Sequence, residues 1–281
     1  MKFKDMPKLP LVLIVVMLVV GGVVYPQLPT RIPMHWGVSG QIDGWGTKSL
    51  LTVFFAPVTL AVIYVLLWFA PYLDPQRGNL VRSKQVYAIA LELLAGMMTI
   101  VFVGQLYASL NNALPMSSIV GVATGVMLVV LGNYMGRVKR NWTMGFRYSW
   151  TLSDDTVWAK TNRLGGRLFM VAGALAIGGA FLPPFVGFLL ILLPVFVILP
   201  VTYAYSMQLY KQLHPGAMEP PTPLAMPADD SVGPAASASS IRAQEPLPQS
   251  ERVEVVCPAC GAENAPGNEE CIVCGKPLTG R

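Results

Sequence analysis

Charged residues are scarce in this chain of 281 residues. They make up 12% of the sequence, whereas hydrophobic residues make up 53%, and the mean hydropathy is +0.52. A soluble globular domain carries about 25% charged residues, so this composition excludes that class and predicts an integral membrane protein. The formal net charge of +5 then reflects basic residues that orient membrane spans. A nucleic-acid partner is therefore not expected.

Histidine and cysteine are also rare. The chain has two histidines, too few for a three-histidine metal site, and four cysteines, all in the last 25 residues. The sequence contains no His-Glu-x-x-His, Gly-x-Ser-x-Gly or Walker A motif, which are the signatures of metalloproteases, serine hydrolases and P-loop enzymes. We therefore predict that the protein is not an enzyme and that it has no disulfide framework.

Six long apolar segments predict an all-α, polytopic membrane protein, because about 20 residues cross the ~30 Å hydrocarbon layer. Three lysines precede the first segment, which lacks an Ala-x-Ala-like cleavage site and is read as a helix and not a signal peptide. Pro183-Pro184 separates the last two segments and predicts a tight hairpin, with a re-entrant pair as the alternative. The predicted spans are 9–24, 50–69, 86–106, 119–135, 168–182 and 185–205.

Lysine and arginine are distributed unequally between the two sides of this topology. One side collects thirteen of them and the other collects only Arg31 and Lys48. Because basic loops stay in the cytoplasm, we predict a multi-pass protein of the cell membrane with both termini cytoplasmic. The thirteen are Lys2, Lys4, Lys8, Arg77, Arg82, Lys84, Arg137, Lys139, Arg140, Arg147, Lys160, Arg163 and Arg167.

The C-terminal part predicts a tethered metal-binding unit. Residues 214–253 are rich in Pro, Ala and Ser and predict a disordered linker. Two Cys-x-x-Cys pairs follow within residues 254–281, each with a glycine after its second cysteine. Four thiolates at this spacing predict one structural Zn²⁺ in a small zinc ribbon, with the metal supplying folding free energy. The predicted ligands are Cys257, Cys260, Cys271 and Cys274.

The loop between the first two spans contains three prolines, which keep it extended, and aromatic residues suited to the membrane interface. The simpler interpretation is an aromatic-anchored cap. The alternative makes His35 and Asp43 a polar pair that recognises an external peptide or lipid, or senses pH. The candidate residues in this loop are Pro33, His35, Trp36, Gly40, Asp43 and Lys48.

Glu92 is the one acidic residue well inside a predicted span. An ionisable group at that depth is costly, so we expect it to face the bundle with Asn133 or Arg137 as its partner. A structural pair and a role in transport are both open. Transport of a small solute or proton through Glu92 is the alternative function, and Pro57, Pro194 and Pro200 add helix breaks to it.

Residues 133–166 form the longest polar interruption between the spans. Ser153 is predicted to cap a helix that ends at Gly165-Gly166, and Trp142 and Trp150 are expected to anchor in the cytoplasmic interface. The segment is either a positive-inside loop with an interfacial helix or a binding and signalling surface.

The run Gly145-Phe-Arg147-Tyr-Ser-Trp150-Thr-Leu-Ser-Asp154, after Asn141, resembles the signature of the SdpI family of bacterial membrane proteins. The loop with Pro33-Met-His35-Trp36, and with Asp43 and Lys48 after it, resembles a short domain of unknown function that commonly precedes that signature. The resemblance covers roughly the first 210 residues, and the zinc ribbon lies outside it. Its candidate signature residues are Asn141, Gly145, Arg147, Trp150, Thr151, Ser153, Asp154, Trp158 and Asn162.

What the resemblance implies is protection against a secreted antimicrobial peptide or toxin, coupled to recruitment of a cytoplasmic transcriptional regulator. The chain then divides into four parts: the first two spans with the outer loop (1–72), a four-span SdpI-like region (73–213), the linker (214–253) and the ribbon (254–281).

Overall fold

The computed structural model describes residues 6–111 and 114–215, and the short stretches 255–258, 263–264, 270–271 and 276–278. Most of the predicted linker lies outside the described residues. The helices are α1 (Leu9–Val24), α2 (Leu50–Leu73), α3 (Arg77–Arg82), α4 (Lys84–Asn111), α5 (Met116–Met135), α6 (Ser149–Ser153), α7 (Asp155–Gly179) and α8 (Pro184–Leu213). The strands are β1 (Arg31–Trp36), β2 (Ile42–Thr47), β3 (Val255–Val256) and β4 (Glu263–Asn264).

Within the described residues, five helices are long and apolar enough to cross a membrane, namely α1, α2, α4, α5 and α8. The prediction of a mostly helical, polytopic membrane protein is confirmed. Many large apolar side chains on these helices are exposed, among them Val15, Leu66 and Phe196, as expected for surfaces that face lipid.

The predicted span over 168–182 is part of a longer helix, α7, which is not among the five helices named above. Residues 168–179 form the second half of α7, which starts at Asp155 and continues through Gly165 and Gly166 without a break. The polar first half of α7 carries part of the signature segment, residues 133–166. The average hydropathy of α7 is therefore lower than that of the other long helices.

The turn between α7 and α8 is the predicted hairpin at Pro183. The choice between two crossing arms and a re-entrant pair stays a prediction, and both arms run the length of the bundle. Ala180, after the end of α7, packs beside Gly121 near the start of α5. At the other end of α8, His214 reaches Asp154 at the start of α7. Since a helix rises 1.5 Å per residue, the 25 residues of α7 extend about 37 Å.

Close approach of α5 and α7 depends on glycine. A Cβ atom on Gly132 would lie 2.5 Å from the carbonyl oxygen of Gly166, and one on Gly125 would lie 2.6 Å from that of Gly173. Small residues let membrane helices pack backbone against backbone, where dispersion and not the hydrophobic effect holds them together. These glycines fix α7 against α5 along most of its length.

The N-terminal half of the bundle packs around α4. Met17 of α1, Leu60 of α2 and Phe102 of α4 are buried in one apolar cluster that also contains Ile32 of β1. The β1–β2 hairpin is antiparallel, and it is tied to α4 because the Gln105 side chain donates to the carbonyl of Pro33 over 3.2 Å. The outer loop therefore rests on the helices as a folded hairpin.

Candidate functional site

Asn141 organises the turn at the start of the signature segment. Its side chain is fully buried. Its Oδ1 accepts from the backbone N–H groups of Thr143 (2.8 Å) and Met144 (2.7 Å), and its Nδ2 donates to the carbonyl of Lys139 at 2.7 Å. An asparagine that closes a turn through its own backbone neighbours is a common device in loops. The role of Asn141 in this structure is to shape the loop.

Trp158 and Asn162 hold that loop against α7, and they share one face of the helix as four-residue spacing requires. Trp158 Nε1 donates to the carbonyl of Val138 at 2.7 Å. Asn162 Nδ2 donates to the carbonyl of Trp158 at 2.9 Å, while its Oδ1 accepts from the N–H of Phe146 at 3.0 Å. Gly145 packs directly on both side chains with a φ of 109°, a backbone geometry that favours glycine.

The next residues connect the signature segment to α8. The indole Nε1 of Trp150 donates to Ser206 Oγ at 2.7 Å, and the Tyr148 hydroxyl lies 3.0 Å from Thr202 Oγ1. The Thr151 hydroxyl donates to the carbonyl of Phe146 at 2.7 Å and accepts from the N–H of Tyr148 at 2.8 Å. Trp150, Thr151, Thr202 and Ser206 are all buried, so this contact is a polar seam inside the protein.

Three expectations for this segment were wrong. Ser153 does not cap α7; it is the last residue of α6, and the Asp154 side chain caps α7 by accepting from the N–H of Val157 at 2.8 Å. The helix does not stop at Gly165-Gly166, because the Phe146 ring covers Gly165 and α5 covers Gly166, and neither approach leaves room for a Cβ atom. Trp150 is 7% exposed and packs on α8, so it is not an interfacial anchor.

Asp74, at the end of α2, is a part of this site that the sequence did not reveal. One carboxylate oxygen accepts from the Trp142 N–H (3.0 Å) and the Thr143 hydroxyl (2.8 Å), and the other accepts from the Gln76 N–H at 2.8 Å. Asp74 is 7% exposed. It fastens the first half of the chain to the signature loop. Asp74-Pro75 indicates only a turn from sequence, since its partners lie 68 residues further on.

Few side chains of the segment remain available to a partner. Arg147, Ser153, Asp155 and Lys160 are exposed. The guanidinium of Arg147 donates to the carbonyl of Trp142, and Asp155 pairs with Arg140 at 2.9 Å. Most of the other signature residues are buried, so a partner that binds here meets a surface that rests on a packed interior.

His214 contacts the start of α7 from the end of α8. Its Nε2 lies 3.0 Å from Asp154 Oδ2, and its ring packs on the Tyr210 ring with centroids 4.5 Å apart. Asp154 therefore caps α7 and also contacts the end of α8.

In the outer hairpin, His35 and Asp43 do form a pair. The distance between His35 Nδ1 and Asp43 Oδ1 is 2.6 Å, and their side chains are 71% and 53% exposed. Lys48 Nζ donates to the carbonyl of Leu28 at 2.9 Å and lies 4.9 Å from the centre of the Tyr25 ring. Gly40, with a φ of 78°, makes the tight turn next to Ser117 of α5.

Other candidate residues of the hairpin belong to its packing. Pro33 lies opposite Trp45 in the strand register and Trp36 lies opposite Ile42. Their backbone pairing, with the Gln105 contact to the carbonyl of Pro33, holds the hairpin in place. The Tyr25 ring stacks on Phe54, so an aromatic contact closes the root of the loop.

Glu92 lies in a groove of about 750 Å³ between α4 and α5, lined by apolar side chains such as Leu93 and Val122. Across residues 6–111 and 114–215, no hydrogen bond or ion pair joins Glu92 to Asn133 or Arg137. Asn133 is exposed, and Arg137 instead stacks on the Tyr134 ring at 5.0 Å. The expected partnership was wrong, and transport through Glu92 stays a prediction.

Two of the four predicted zinc ligands are described. Cys257 and Cys271 are 1% and 2% exposed and share a small apolar cluster with Leu278. The backbone N–H of Cys271 donates to the carbonyl of Lys276 at 2.8 Å. Cys260 and Cys274 lie outside the described residues.

Two segments of the chain match known protein families. Residues 12–61 match a domain of unknown function (DUF1648), and residues 137–206 match the SdpI/YfhL protein family. Residues 137–206 are therefore similar to the SdpI family. It is also similar to Immunity protein SdpI of Bacillus subtilis (strain 168), with 27% identity over 193 residues, which are 68% of this chain and 89% of that protein. No solved structure matches.

The SdpI match begins at the signature loop and ends within α8. It contains Asn141, Trp158 and Asn162, and both sides of the contact between Trp150 and Ser206. Asp74 lies outside both matched segments. The similarity supports a membrane immunity role and a multi-pass position in the membrane.

Proposed function

We propose that this protein protects its cell against a secreted antimicrobial peptide or toxin that acts at the membrane. The similarity to an immunity protein over 193 residues carries the proposal. The packing of the SdpI segment supports it, because Asn162, Trp158 and Trp150 make the matched residues one interlocked unit with α8.

Loss of the gene is expected to sensitise cells to at least one secreted peptide. Deletion strains would be challenged with peptide fractions secreted by related bacteria, and growth inhibition would be compared with that of the complemented strain. Protection should return with the full chain and should be lost with Asn162→Leu, which leaves the buried N–H of Phe146 unpaired. Equal sensitivity of deleted and complemented strains to every fraction would contradict the proposed function.

We propose that α7 crosses the membrane as a sixth span, which puts both termini and the signature segment in the cytoplasm; the excess of basic residues on that side supports this orientation. The exposed residues Arg147 and Ser153 then offer a surface for a cytoplasmic regulator. Ser39 and Ser153 are both exposed, so cysteine at either position is a matched probe in a background without the four native cysteines.

An impermeant maleimide is expected to label Ser39→Cys in intact cells and Ser153→Cys only after lysis. A photoreactive maleimide on Ser153→Cys in inverted vesicles should then capture the regulator, with Ser39→Cys as the control. The opposite labelling pattern would reverse the topology. Capture of the same proteins from both positions would argue against a regulator at the signature segment.

The C-terminal cysteines support a separate proposal of one structural Zn²⁺. The burial of Cys257 and Cys271 in a single cluster fits a tetrahedral thiolate site. Four protein ligands leave no open coordination position, so the site is structural and not catalytic.

We expect about one zinc per purified chain, and only background zinc after replacing Cys257 and Cys260 with serine. Elemental analysis would measure it. Glu270→Gln, at an exposed neighbour of Cys271, is the control that should keep the metal, and full zinc in the double variant would refute the site.

A further inference from the structure

A cleft of about 420 Å³ lies at the outer end of the bundle, between the β hairpin and the helices. We call it the outer cleft. Its walls come from β1 and its turn, from α4 and α5, and from the α7–α8 hairpin. Among its lining residues are Met34, His35, Val38, Val101, Ser117 and Phe188. Its size lies within the range of pockets that hold small ligands, so it accommodates a few side chains.

The two segments matched by family models both line this cleft. His35 and Val38 belong to the DUF1648 match, and Phe188 belongs to the SdpI match. The turn that closes the hairpin approaches α5 and α8 through Gly40, where an added Cβ would lie 2.8 Å from Ser117 Oγ and 4.0 Å from Pro184. The cleft is thus the place where the outer loop meets the domain that carries the immunity similarity.

Charge is arranged unequally along the hairpin. The root carries Arg31, and Lys48 is already bound to carbonyls and to the Tyr25 ring. The cleft end carries the pair of His35, which lines the cleft, and Asp43. Four residues of strand, about 13 Å, separate Arg31 from His35. Asp43 is the one acidic residue in the outer loops 25–49, 112–115 and 180–183.

We propose that the outer cleft binds a cationic amphipathic peptide that lies in the outer membrane interface. Apolar side chains of the peptide enter the cleft, and a lysine or arginine beside them meets the Asp43 carboxylate. Peptides with Lys or Arg on one face and Leu, Phe or Trp on the other bind at this depth. An anionic lipid headgroup is disfavoured there, because Asp43 would repel it. The inference rests on the proposed function and on the proposed orientation.

Photocrosslinking would test the cleft directly. The probe is a synthetic Leu/Lys amphipathic helical peptide with a diazirine on its apolar face, added to the full chain in nanodiscs of phosphatidylethanolamine and phosphatidylglycerol. We expect saturable labelling of residues 34–38 and of the start of α8. Val38→Trp fills the cleft from the exposed hairpin turn, and Val101→Trp fills it from α4.

Either filling variant should lower cleft labelling roughly tenfold, the effect of losing one buried aliphatic contact. Val103→Trp is the matched control, because Val103 is exposed on the same helix and does not line the cleft; it should leave labelling unchanged. Asp43→Asn should weaken binding of the cationic peptide about threefold. Size-exclusion profiles identify any variant that fails to fold. Val38 lies at the surface, so Val38→Trp should disturb folding less than Val101→Trp does.

Several outcomes would overturn the inference. These are unsaturable peptide labelling, equal labelling in Val38→Trp and Val103→Trp, or a photoactivatable phosphatidylglycerol that occupies the cleft and is not displaced by the peptide. The growth assay separates the two proposals. If the complemented strain is protected and Val38→Trp protects equally well, the cleft inference fails and the proposed function stands. If the cleft binds the peptide but deletion changes no sensitivity, the proposed function fails.

Discussion

Gly173→Ala is expected to destabilise the folded bundle by about 1–3 kcal/mol, the usual cost of forcing extra volume into a packed interior. The added Cβ would lie 2.5 Å from the carbonyl oxygen of Gly125 and 2.9 Å from the backbone nitrogen of Val129. Both are main-chain atoms of α5, so no side-chain rotation relieves the contact. α5 and α7 must move apart, which also loosens the side chains packed around them.

Gly178→Ala on the same helix is the matched control. Nothing lies within 4 Å of a Cβ at Gly178, and alanine favours a helix over glycine by about 1 kcal/mol. That variant should therefore be neutral or slightly stabilised. The midpoint of thermal unfolding in detergent, followed by loss of the monodisperse peak, measures both. Equal midpoints for the two variants would contradict the close packing of α5 and α7.

Asp74→Ala is expected to release the signature loop from the first half of the chain. The change leaves the N–H groups of Trp142 and Gln76 and the hydroxyl of Thr143 without their acceptor. A buried donor left unpaired costs about 1–3 kcal/mol. Because these donors are in turns, the loop should open locally before the helices unfold.

Limited proteolysis at Lys139, Arg140 and Arg147 in inverted vesicles would detect that opening. If the variant destabilises the closed loop by about 1.4 kcal/mol or more, cleavage should be at least tenfold faster. Asp155→Asn is the control. Asp155 is exposed and holds only the pair with Arg140, a type worth about 0–1 kcal/mol. If Asp74→Ala and Asp155→Asn are cleaved at the same rate, Asp74 does not fasten the loop.

The sequence was sufficient for features that local chemistry determines. Long apolar runs place α1, α2, α4 and α5 within a few residues of their ends, since the hydrocarbon thickness sets helix length. Pro183-Pro184 places the turn before α8, because Pro184 has no N–H to donate. The pairing of His35 with Asp43 was also among the hypotheses, as two polar side chains of one short loop.

Features that depend on distant contacts could not be predicted. Gly165-Gly166 is typical of a helix end when only its neighbours are considered, yet Phe146 and α5 make the pair a contact point inside a continuous helix. Trp150 suits an interface by its chemistry, but Ser206 on α8 offers its indole a partner in the interior. Asp74 was missed for the same reason, since its acceptor role appears only when the loop folds back on α2. Tertiary contact decided all three.

The length of α7 has a mechanical consequence. Its first turn is capped by Asp154, which also binds His214 at the end of α8. Its far end, at Gly179 and Ala180, is part of the wall of the outer cleft. One unbroken helix therefore connects the outer cleft with the Asp154 end of the bundle, and its glycines Gly166 and Gly173 pack on α5 between these ends. A displacement of α7 at the cleft would therefore also displace the end that Asp154 caps.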